Sequence, residues 1–370
     1  MGQKCACFKD QTSEDNQLNV FKEIHSSQFK QEHAAPEDFS TSINIDLQID
    51  ILSIVKLQSV LRGFIDRAIL KDARTASPSF QRLLSHCQYP RTSLHEIEGE
   101  IPSYSNASTI AAARKLEPFV YNFQLNDGVP TFSKGPVQLE NGAVYIGDWN
   151  KELERHGKGV QIWNDGSKYE GYWKNDRASG KGRLIHGDGD VYDGEWQDDK
   201  AHGYGVYTHT DGGKYAGQWE NDKQHGKGVE EWPDGSRYEG EYINGKKHGK
   251  GKFIWCDGST FDGEFDNNNI HGHGAYCWSD GRRYVGDWLS NKMDGKGIFT
   301  WPDGRCYKGD YIDDKKEGFG IFMWPDGRKY EGFWLNGKQH GRGIYTSANG
   351  ERKEGEWKDG NRLKNDNIND

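Results

Sequence analysis

Tyr145-Ile-Gly147-Asp-Trp149 and, seven residues after it, His156-Gly157-Lys-Gly159 form a pair of segments that recurs along the chain. The first segment returns at Tyr169 after 24 residues and then every 23 residues. Further copies begin at Tyr192, Tyr215, Tyr238, Phe261, Tyr284, Tyr307 and Tyr330, and a degenerate tenth copy begins at Lys353. A fixed period of this length indicates a repeat architecture, in which each copy is one small structural unit.

Alternation within each copy predicts two β-strands. Residues at i, i+2 and i+4 of a strand share a face, so Tyr145, Gly147 and Trp149 point the same way. The same parity groups Gly157 and Gly159 with Trp163 on the next strand. Pairing the two strands would lay aromatic rings over bare glycines. The equivalent residues of later copies include Tyr238, Gly240, Tyr330, Gly332 and Trp334.

Turn residues separate the copies and define the fold class. The first eight copies close on an Asp-Gly step, and Gly accepts a positive φ at little cost. Trp232-Pro233-Asp234-Gly235 adds a proline suited to the second position of a tight turn. Each copy therefore reads as a β-hairpin. The sequence predicts a mainly β fold, an elongated single-layer antiparallel sheet of stacked hairpins preceded by a helical or irregular N-terminal region.

This pattern, Tyr-x-Gly-x-Trp followed by His-Gly-x-Gly, an aromatic residue and Asp-Gly, resembles the MORN repeat over residues 145–360. The resemblance implies nine full copies, a sheet that binds other molecules, and no catalytic residues. MORN proteins similar to this chain include junctophilins, which join membranes to other structures, and radial spoke head proteins of cilia. The resemblance thus favours a scaffold, with a cytoskeletal or ciliary structural component as the alternative.

Composition changes sharply near residue 140. Only five of the 48 glycines and none of the 13 tryptophans precede that point. We expect a flexible N-terminus over residues 1–45, a helix over 46–73, a linker and cap region over 74–139, the repeat array over 140–362 and a polar tail over 363–370. Within the linker, the apolar segment 116–125 is expected to pack against the first repeats as a cap.

Charge excludes one class of partner. The formal net charge is −9, and residues 140–370 carry 34 basic and 41 acidic side chains. Nucleic-acid binding depends on neutralising phosphates with a basic surface, so we expect no nucleic-acid partner. The same balance disfavours direct binding of phosphoinositide headgroups by the array, which remains a weaker alternative function.

The predicted helix over 46–73 carries a segment that resembles an IQ motif, from Leu57-Gln58 through Arg62-Gly63 to Arg67. Leu70 completes the pattern as the second apolar anchor. A basic amphipathic helix is the kind of ligand that an acidic calmodulin lobe binds. The resemblance implies calmodulin or a related EF-hand protein as a partner. An ordinary helix packed on the rest of the chain is the alternative.

The first residues resemble a dual-acylation signal. Gly2 would be myristoylated, and Cys5 and Cys7 would be palmitoylated. One myristoyl chain anchors only marginally, so the two cysteines would supply the stable attachment. We therefore expect the cytoplasmic face of a membrane, at the plasma membrane or cell cortex, with the cilium or axoneme as the alternative location. The competing interpretation is a flexible N-terminal segment in which the thiols of Cys5 and Cys7 have no role.

Catalytic and metal-binding signatures are missing from the sequence. Six histidines recur at the same repeat position: His156, His202, His225, His248, His271 and His340. Their identical placement indicates a structural role rather than a row of metal-binding sites. The cysteines form no CxxC pair and thus lack zinc spacing. We expect no catalytic residue, no metal and no cofactor. The leading hypothesis is a membrane-tethered, non-enzymatic scaffold that binds a calmodulin-type light chain and further protein partners on its sheet.

Overall fold

The structure, a computed structural model, describes residues 94–98, 100–123, 125 and 127–363. The proposed lipidation sites Gly2, Cys5 and Cys7 lie outside the described residues. So do the IQ-like residues Leu57, Gln58, Arg62, Gly63, Arg67 and Leu70, and nearly all of the polar tail. The repeat array is described in full.

Twenty-one strands and one short helix make up the regular structure of the described residues. Helix α1 is Ala107–Ala113. The strands are β1 Phe132–Gln138, β2 Val144–Trp149, β3 Arg155–Ile162, β4 Lys168–Lys174, β5 Arg177–Ile185, β6 Val191–Gln197, β7 Lys200–Thr208, β8 Lys214–Glu220, β9 Lys223–Glu231, β10 Arg237–Ile243, β11 Lys246–Ile254, β12 Thr260–Asp266, β13 Asn269–Cys277, β14 Arg283–Leu289, β15 Lys292–Thr300, β16 Cys306–Ile312, β17 Lys315–Met323, β18 Lys329–Leu335, β19 Lys338–Thr346, β20 Arg352–Lys358 and β21 Asn361–Arg362.

Each strand pairs antiparallel with the next strand in the chain, from β1 to β21, in one continuous sheet. The register brings the glycines of neighbouring strands opposite one another, as in Gly240↔Gly251 and Gly240↔Gly228. The predicted fold class, a single antiparallel sheet of hairpins, is confirmed.

Two kinds of turn alternate along the sheet. The loop in Trp232–Gly235 closes with Gly235 N–H on the Trp232 carbonyl, and Gly235 takes a φ of +89°. From β4 onward, the opposite end of each hairpin is a two-residue turn such as Asn175-Asp176, with φ values of +48° and +66°, whereas the first hairpin has a five-residue loop over 150–154. Two successive positive φ values define the turn type whose twist matches a hairpin.

The edge of the sheet before the first repeat is covered by β1, which pairs with β2. Residue Glu96 then makes an isolated antiparallel bridge to Val137 of β1. Residues 117–123 of the segment expected to cap the first repeats pack on one face of those repeats and do not pair with this edge. The segment contacts the sheet through its aromatic side chains. An open sheet edge instead needs hydrogen-bonding partners for its backbone, and β1 provides them at this edge.

Helix α1 is held at the turn side of the first repeats. Its N-cap, Asn106, accepts a hydrogen bond from the Thr109 N–H at 2.9 Å. The Asn106 side-chain amide also donates to the carbonyls of Asp165 and Gly187, at 3.0 and 2.8 Å. One residue thus caps the helix and binds two successive turns of the array.

Candidate functional site

One face of the sheet, here called the aromatic face, carries the first residue of each copy packed over glycines. The Tyr145 hydroxyl donates to the Asp148 carbonyl at 3.0 Å, and Tyr330 does the same to Phe333. A Cβ added at Gly159 would lie 2.5 Å from two ring carbons of Tyr145. The glycines therefore make room for the rings, and Gly147 and Gly240 play the same part in their copies.

Burial of these rings shifts their ionisation. It raises the pKa of Tyr330 from its ordinary value of 10 to about 12. Burial likewise raises the pKa of Tyr145 and of Tyr238 above the ordinary value. The tyrosines of the aromatic face are consequently neutral at physiological pH and act as structural donors.

Tryptophans complete the aromatic face. The Trp334 indole donates to the Gly320 carbonyl at 3.2 Å, and Trp173 donates to Gly159 at 3.3 Å. Beside them, a continuous row of ten rings runs through copies four to nine, with neighbouring centroids 4.4–6.4 Å apart. The row consists of Trp232, Phe253, Trp255, Tyr276, Trp278, Phe299, Trp301, Phe322, Trp324 and Tyr345. Contacts of this kind tie each hairpin to the next.

A charged pair interrupts the apolar packing on this face. Lys247 Nζ lies 2.9 Å from Glu230 Oε2, and the Tyr242 hydroxyl donates to the same oxygen at 2.9 Å. The ammonium group also lies 4.8 Å from the Trp232 ring centroid and 5.2 Å from that of Tyr238. The lysine is therefore held by one carboxylate and by the faces of several rings.

The other face, here called the opposite face, is covered over the first repeats by residues 117–123, which we name the strap. Tyr121 and Phe123 both contact the ring of Tyr172, with centroids 5.6 and 5.4 Å away. The Phe123 N–H donates to the Tyr172 hydroxyl at 2.9 Å. Arg183 donates to the Glu117 carbonyl at 2.7 Å and lies over the Phe119 ring.

The histidine at the repeat position of the first copy anchors the chain just after the strap. His156 is buried, with Nε2 3.1 Å from Asp127 Oδ2 and Nδ1 3.1 Å from Asn175 Oδ1. Burial opposes ionisation of Asp127, but the Val129 N–H and the nearby His156 and Lys174 outweigh it and lower the pKa of this carboxyl group. The imidazole thus links β3 to a turn and to the strap region.

Gly157 departs from the alternation predicted for its strand. Its φ is +94°, and the register between β2 and β3 shifts beside it, between Gly147 and Trp149. A Cβ at Gly157 would approach the Asp148 side chain, which points to the opposite face. The sequence signal, a glycine in an otherwise polar strand, was present, since such glycines often mark bulges.

In the part of the chain that the structure describes, no cluster of three or more His, Cys, Asp or Glu side chains is arranged to hold a metal ion. Among the described helices, none has the length and apolar character needed to cross a bilayer.

The sequence of the repeats matches a known family model, the MORN repeat. The model matches nine consecutive segments that together cover more than half of the chain: residues 145–168, 169–191, 192–214, 215–237, 238–260, 261–282, 284–304, 307–327 and 330–352. This protein belongs to the MORN-repeat family. The nine MORN repeats predicted from the sequence are confirmed, and a repeat sheet of this kind is typical of non-enzymatic structural proteins. MORN-repeat proteins are often membrane-associated.

Comparison with curated proteins finds no match. Among solved structures, the TCP10 domain of Danio rerio CPAP with a STIL peptide is 11% identical, with a TM-score of 0.32, and the match covers 62% of this chain and 100% of that chain. The TCP domain of Drosophila melanogaster SAS-4 with a proline-rich motif of Ana2 is 14% identical, with a TM-score of 0.27, covering 53% and 99%. Virginiamycin B lyase from Staphylococcus aureus is 17% identical, with a TM-score of 0.13, covering 60% and 69%. All three TM-scores lie below 0.5.

Proposed function

We propose that this MORN-repeat protein is a non-enzymatic, membrane-tethered scaffold that binds a calmodulin-type light chain and presents its sheet to protein partners. The observation that supports the scaffold role best is the unbroken pairing from β2 to β20. Such a sheet has two broad faces and holds its binding positions in a fixed register.

The tether is proposed from the first seven residues. Acylation of Gly2, Cys5 and Cys7 would hold the chain at the cytoplasmic face of the plasma membrane or cell cortex. Membrane association is common among MORN-repeat proteins, which favours this location over one without a membrane.

The light-chain site is proposed from the IQ-like segment. Gln58 would bond the backbone of one lobe, and Arg62 and Arg67 would meet acidic groups of calmodulin or a related EF-hand protein. Leu57 and Leu70 would fill apolar pockets, with Gly63 allowing close approach.

Membrane fractionation of the full chain with a C-terminal tag tests the tether. We expect the parent to sediment with membranes and to be released by detergent, whereas Gly2→Ala and Cys5→Ser/Cys7→Ser become soluble. If all three variants fractionate alike, the N-terminus is not an anchor. A cytoskeletal or ciliary component, located at the cilium or axoneme, is then the better assignment.

Capture on immobilised calmodulin, with and without Ca²⁺, tests the light-chain site separately. The parent should be retained in at least one condition, and Gln58→Ala/Arg62→Ala should be lost. Equal capture of parent and variant would remove the IQ proposal. A third measurement, flotation of the acylation-deficient Gly2→Ala/Cys5→Ser/Cys7→Ser chain with phosphoinositide vesicles, asks whether the sheet itself binds headgroups.

A further inference from the structure

Exposed apolar side chains are distributed unevenly over the repeat sheet. Between β2 and β20, nine large hydrophobic residues are exposed, and by strand parity all of them point to the opposite face. Six of the nine lie on the four consecutive strands β15–β18: Ile298, Ile312, Phe319, Met323, Phe333 and Leu335. We name these six the β15–β18 patch. Charged side chains such as Lys308 lie between some of these residues, and Phe319 with Phe333 forms the apolar centre of the patch. Exposed apolar side chains clustered on a folded protein mark a binding site.

The repeat symmetry relates this patch to the surface under the strap. Phe333 occupies the position in its copy that Tyr172 occupies in the second copy, and every other copy has Asp, Glu or Gln there. Tyr172 pairs across strands with Lys158, and Phe333 pairs with the equivalent residue, Phe319. The two positions therefore present an aromatic ring in the same orientation on the same face.

The two equivalent rings differ in what covers them. Tyr172 is 2% exposed because Tyr121 and Phe123 of the strap lie against it. Phe333 is 51% exposed and Phe319 is 46% exposed. Among the described residues, each has only the other as a ring neighbour, at a centroid distance of 5.8 Å. The surface that is filled in the second copy is therefore open in the ninth.

We propose that the β15–β18 patch binds an extended segment of a partner protein with aromatic side chains at alternate positions, laid on the sheet as the strap is. The strap defines this chemistry, since Phe119, Tyr121 and Phe123 are spaced two residues apart and contact the opposite face. The patch continues the face that the strap already occupies. An extended chain presents alternate side chains on one side, which matches this spacing.

One polar contact distinguishes the two sites. The Tyr172 hydroxyl accepts the N–H of Phe123, and Phe333 has no hydroxyl to offer. A segment on the patch is consequently held by apolar contacts without that hydrogen bond. Restoring the hydroxyl with Phe333→Tyr should strengthen binding about 2- to 12-fold, the range for one net hydrogen bond. This direction of change is specific to binding in the manner of the strap.

The inference deepens the proposed scaffold function, and it rests on that function only in treating the sheet as the part that binds partners. It depends on neither the lipid anchor nor the light chain. Failure of the experiment below would leave membrane fractionation and calmodulin capture unchanged, so the two failures are distinguishable.

The test uses a fluorescent synthetic peptide with the sequence of residues 115–127, titrated with the full chain and followed by anisotropy. We expect saturable binding to the parent, at least tenfold weaker binding to Phe319→Ser/Phe333→Ser, and tighter binding to Phe333→Tyr. Ile243→Ser, which changes an exposed apolar residue on the same face outside the patch, is the matched control and should bind like the parent. Circular dichroism checks that each variant retains its sheet.

A photoreactive group in place of the peptide's central tyrosine locates the site by mass spectrometry. Cross-links to β17 and β18 support the proposal. Cross-links confined to β3–β6 would mean that the peptide only displaces the strap, and the proposal would be wrong. It would also be wrong if the parent bound no peptide, or if sedimentation showed that Phe319→Ser/Phe333→Ser abolished a dimer instead, since the patch would then bind a second copy of the chain.

Discussion

Asp314 Oδ1 accepts the backbone N–H of Met293 at 2.8 Å, across the boundary between two hairpins. In the reverse direction, the Asp314 N–H donates to the Met293 carbonyl at 3.0 Å. Asp314 is the second residue of the two-residue turn between β16 and β17, with a φ of +68°. The same side-chain bond joins Asp199 to Ala178, Asp222 to Ala201, Asn268 to Lys247 and Asn291 to Ile270. Each such turn therefore fixes the hairpin before it.

Replacing Asp314 tests the contribution of this bond. Asp314→Gly keeps the positive φ but removes the acceptor, and we expect a loss of about 1 kcal/mol in the free energy of unfolding. Asp314→Ala also has to adopt the left-handed conformation and should lose about 1 kcal/mol more. Urea unfolding followed by tryptophan fluorescence measures both, and hydrogen exchange at Met293 should quicken. A glycine variant as stable as the parent would show that the bond contributes nothing.

The converse change should stabilise a turn that lacks the bond. Gly245 occupies the equivalent turn position, with a φ of +80°, and its N–H donates to the Gln224 carbonyl at 2.8 Å. An added Cβ would meet no atom within 4 Å, and asparagine tolerates this conformation. Gly245→Asn should raise the free energy of unfolding by about 0.5–1 kcal/mol, whereas Gly245→Ala, which has no acceptor, should lower it. Equal effects of the two substitutions would contradict the role given to the side-chain oxygen.

The glycines beneath the tyrosines should tolerate no side chain. A Cβ at Gly251 would lie 2.6 Å from the Cε2 and Cζ atoms of Tyr238. We expect Gly251→Ala to destabilise the sheet by about 1–3 kcal/mol, because the ring must leave its place. The midpoint of urea unfolding measures the effect. Gly245→Asn is the control for an added side chain in open space, and an equally mild result at Gly251 would mean that the ring packing is loose.

Much of the fold was predictable because the same sequence pattern recurs in copy after copy. The alternation of Tyr238, Gly240 and Tyr242 predicts a strand, and the 23-residue period then predicts a stack of hairpins; the structure confirms both. The two-residue turns such as Asn175-Asp176 were not predicted. Asn and Asp tolerate a positive φ better than other side chains, which is the signal that marks these turns in the sequence.

Other features could not be predicted because they occur only once. The path of the strap depends on one ring, Tyr172, at a repeat position that is polar in every other copy except the ninth, which has Phe333. Likewise, Glu230 and Lys247 are 17 residues apart in the sequence, which alone indicates two separate, solvated charges. Only the register of β9, β10 and β11 brings them together among aromatic rings.

The Glu230–Lys247 pair gives a prediction of its own, because other copies have apolar residues in both places. Phe253 with Ile270 and Tyr276 with Met293 occupy the equivalent positions. Glu230→Phe alone should destabilise by about 2 kcal/mol or more, since it leaves the Lys247 ammonium group without its carboxylate. Glu230→Phe/Lys247→Ile should be as stable as the parent or more stable, because two apolar side chains replace a desolvated pair. Thermal unfolding of the parent, both single variants and the double variant gives the coupling energy, and additive losses would contradict this account.

Alkaline pH should unfold the array through its buried tyrosines. A folded-state pKa above the unfolded value favours the neutral form, so this contribution to stability is complete below pH 10 and is lost as the pH rises through the folded-state pKa, about 12 for Tyr330. Tyr145 and Tyr238 are shifted in the same direction by burial and add to the effect. We therefore expect the part of the tyrosinate absorbance that comes from the buried rings to appear together with loss of the sheet signal in circular dichroism, between about pH 10 and 12. Tyr330→Phe, which copies Phe261 of the sixth repeat, loses the hydrogen bond to the Phe333 carbonyl and should be less stable than the parent at pH 8. Since the variant has one fewer group to ionise, its deficit should shrink as the pH approaches 12. If the absorbance that Tyr330→Phe removes appeared near pH 10 with the sheet intact, the Tyr330 ring would instead be open to solvent.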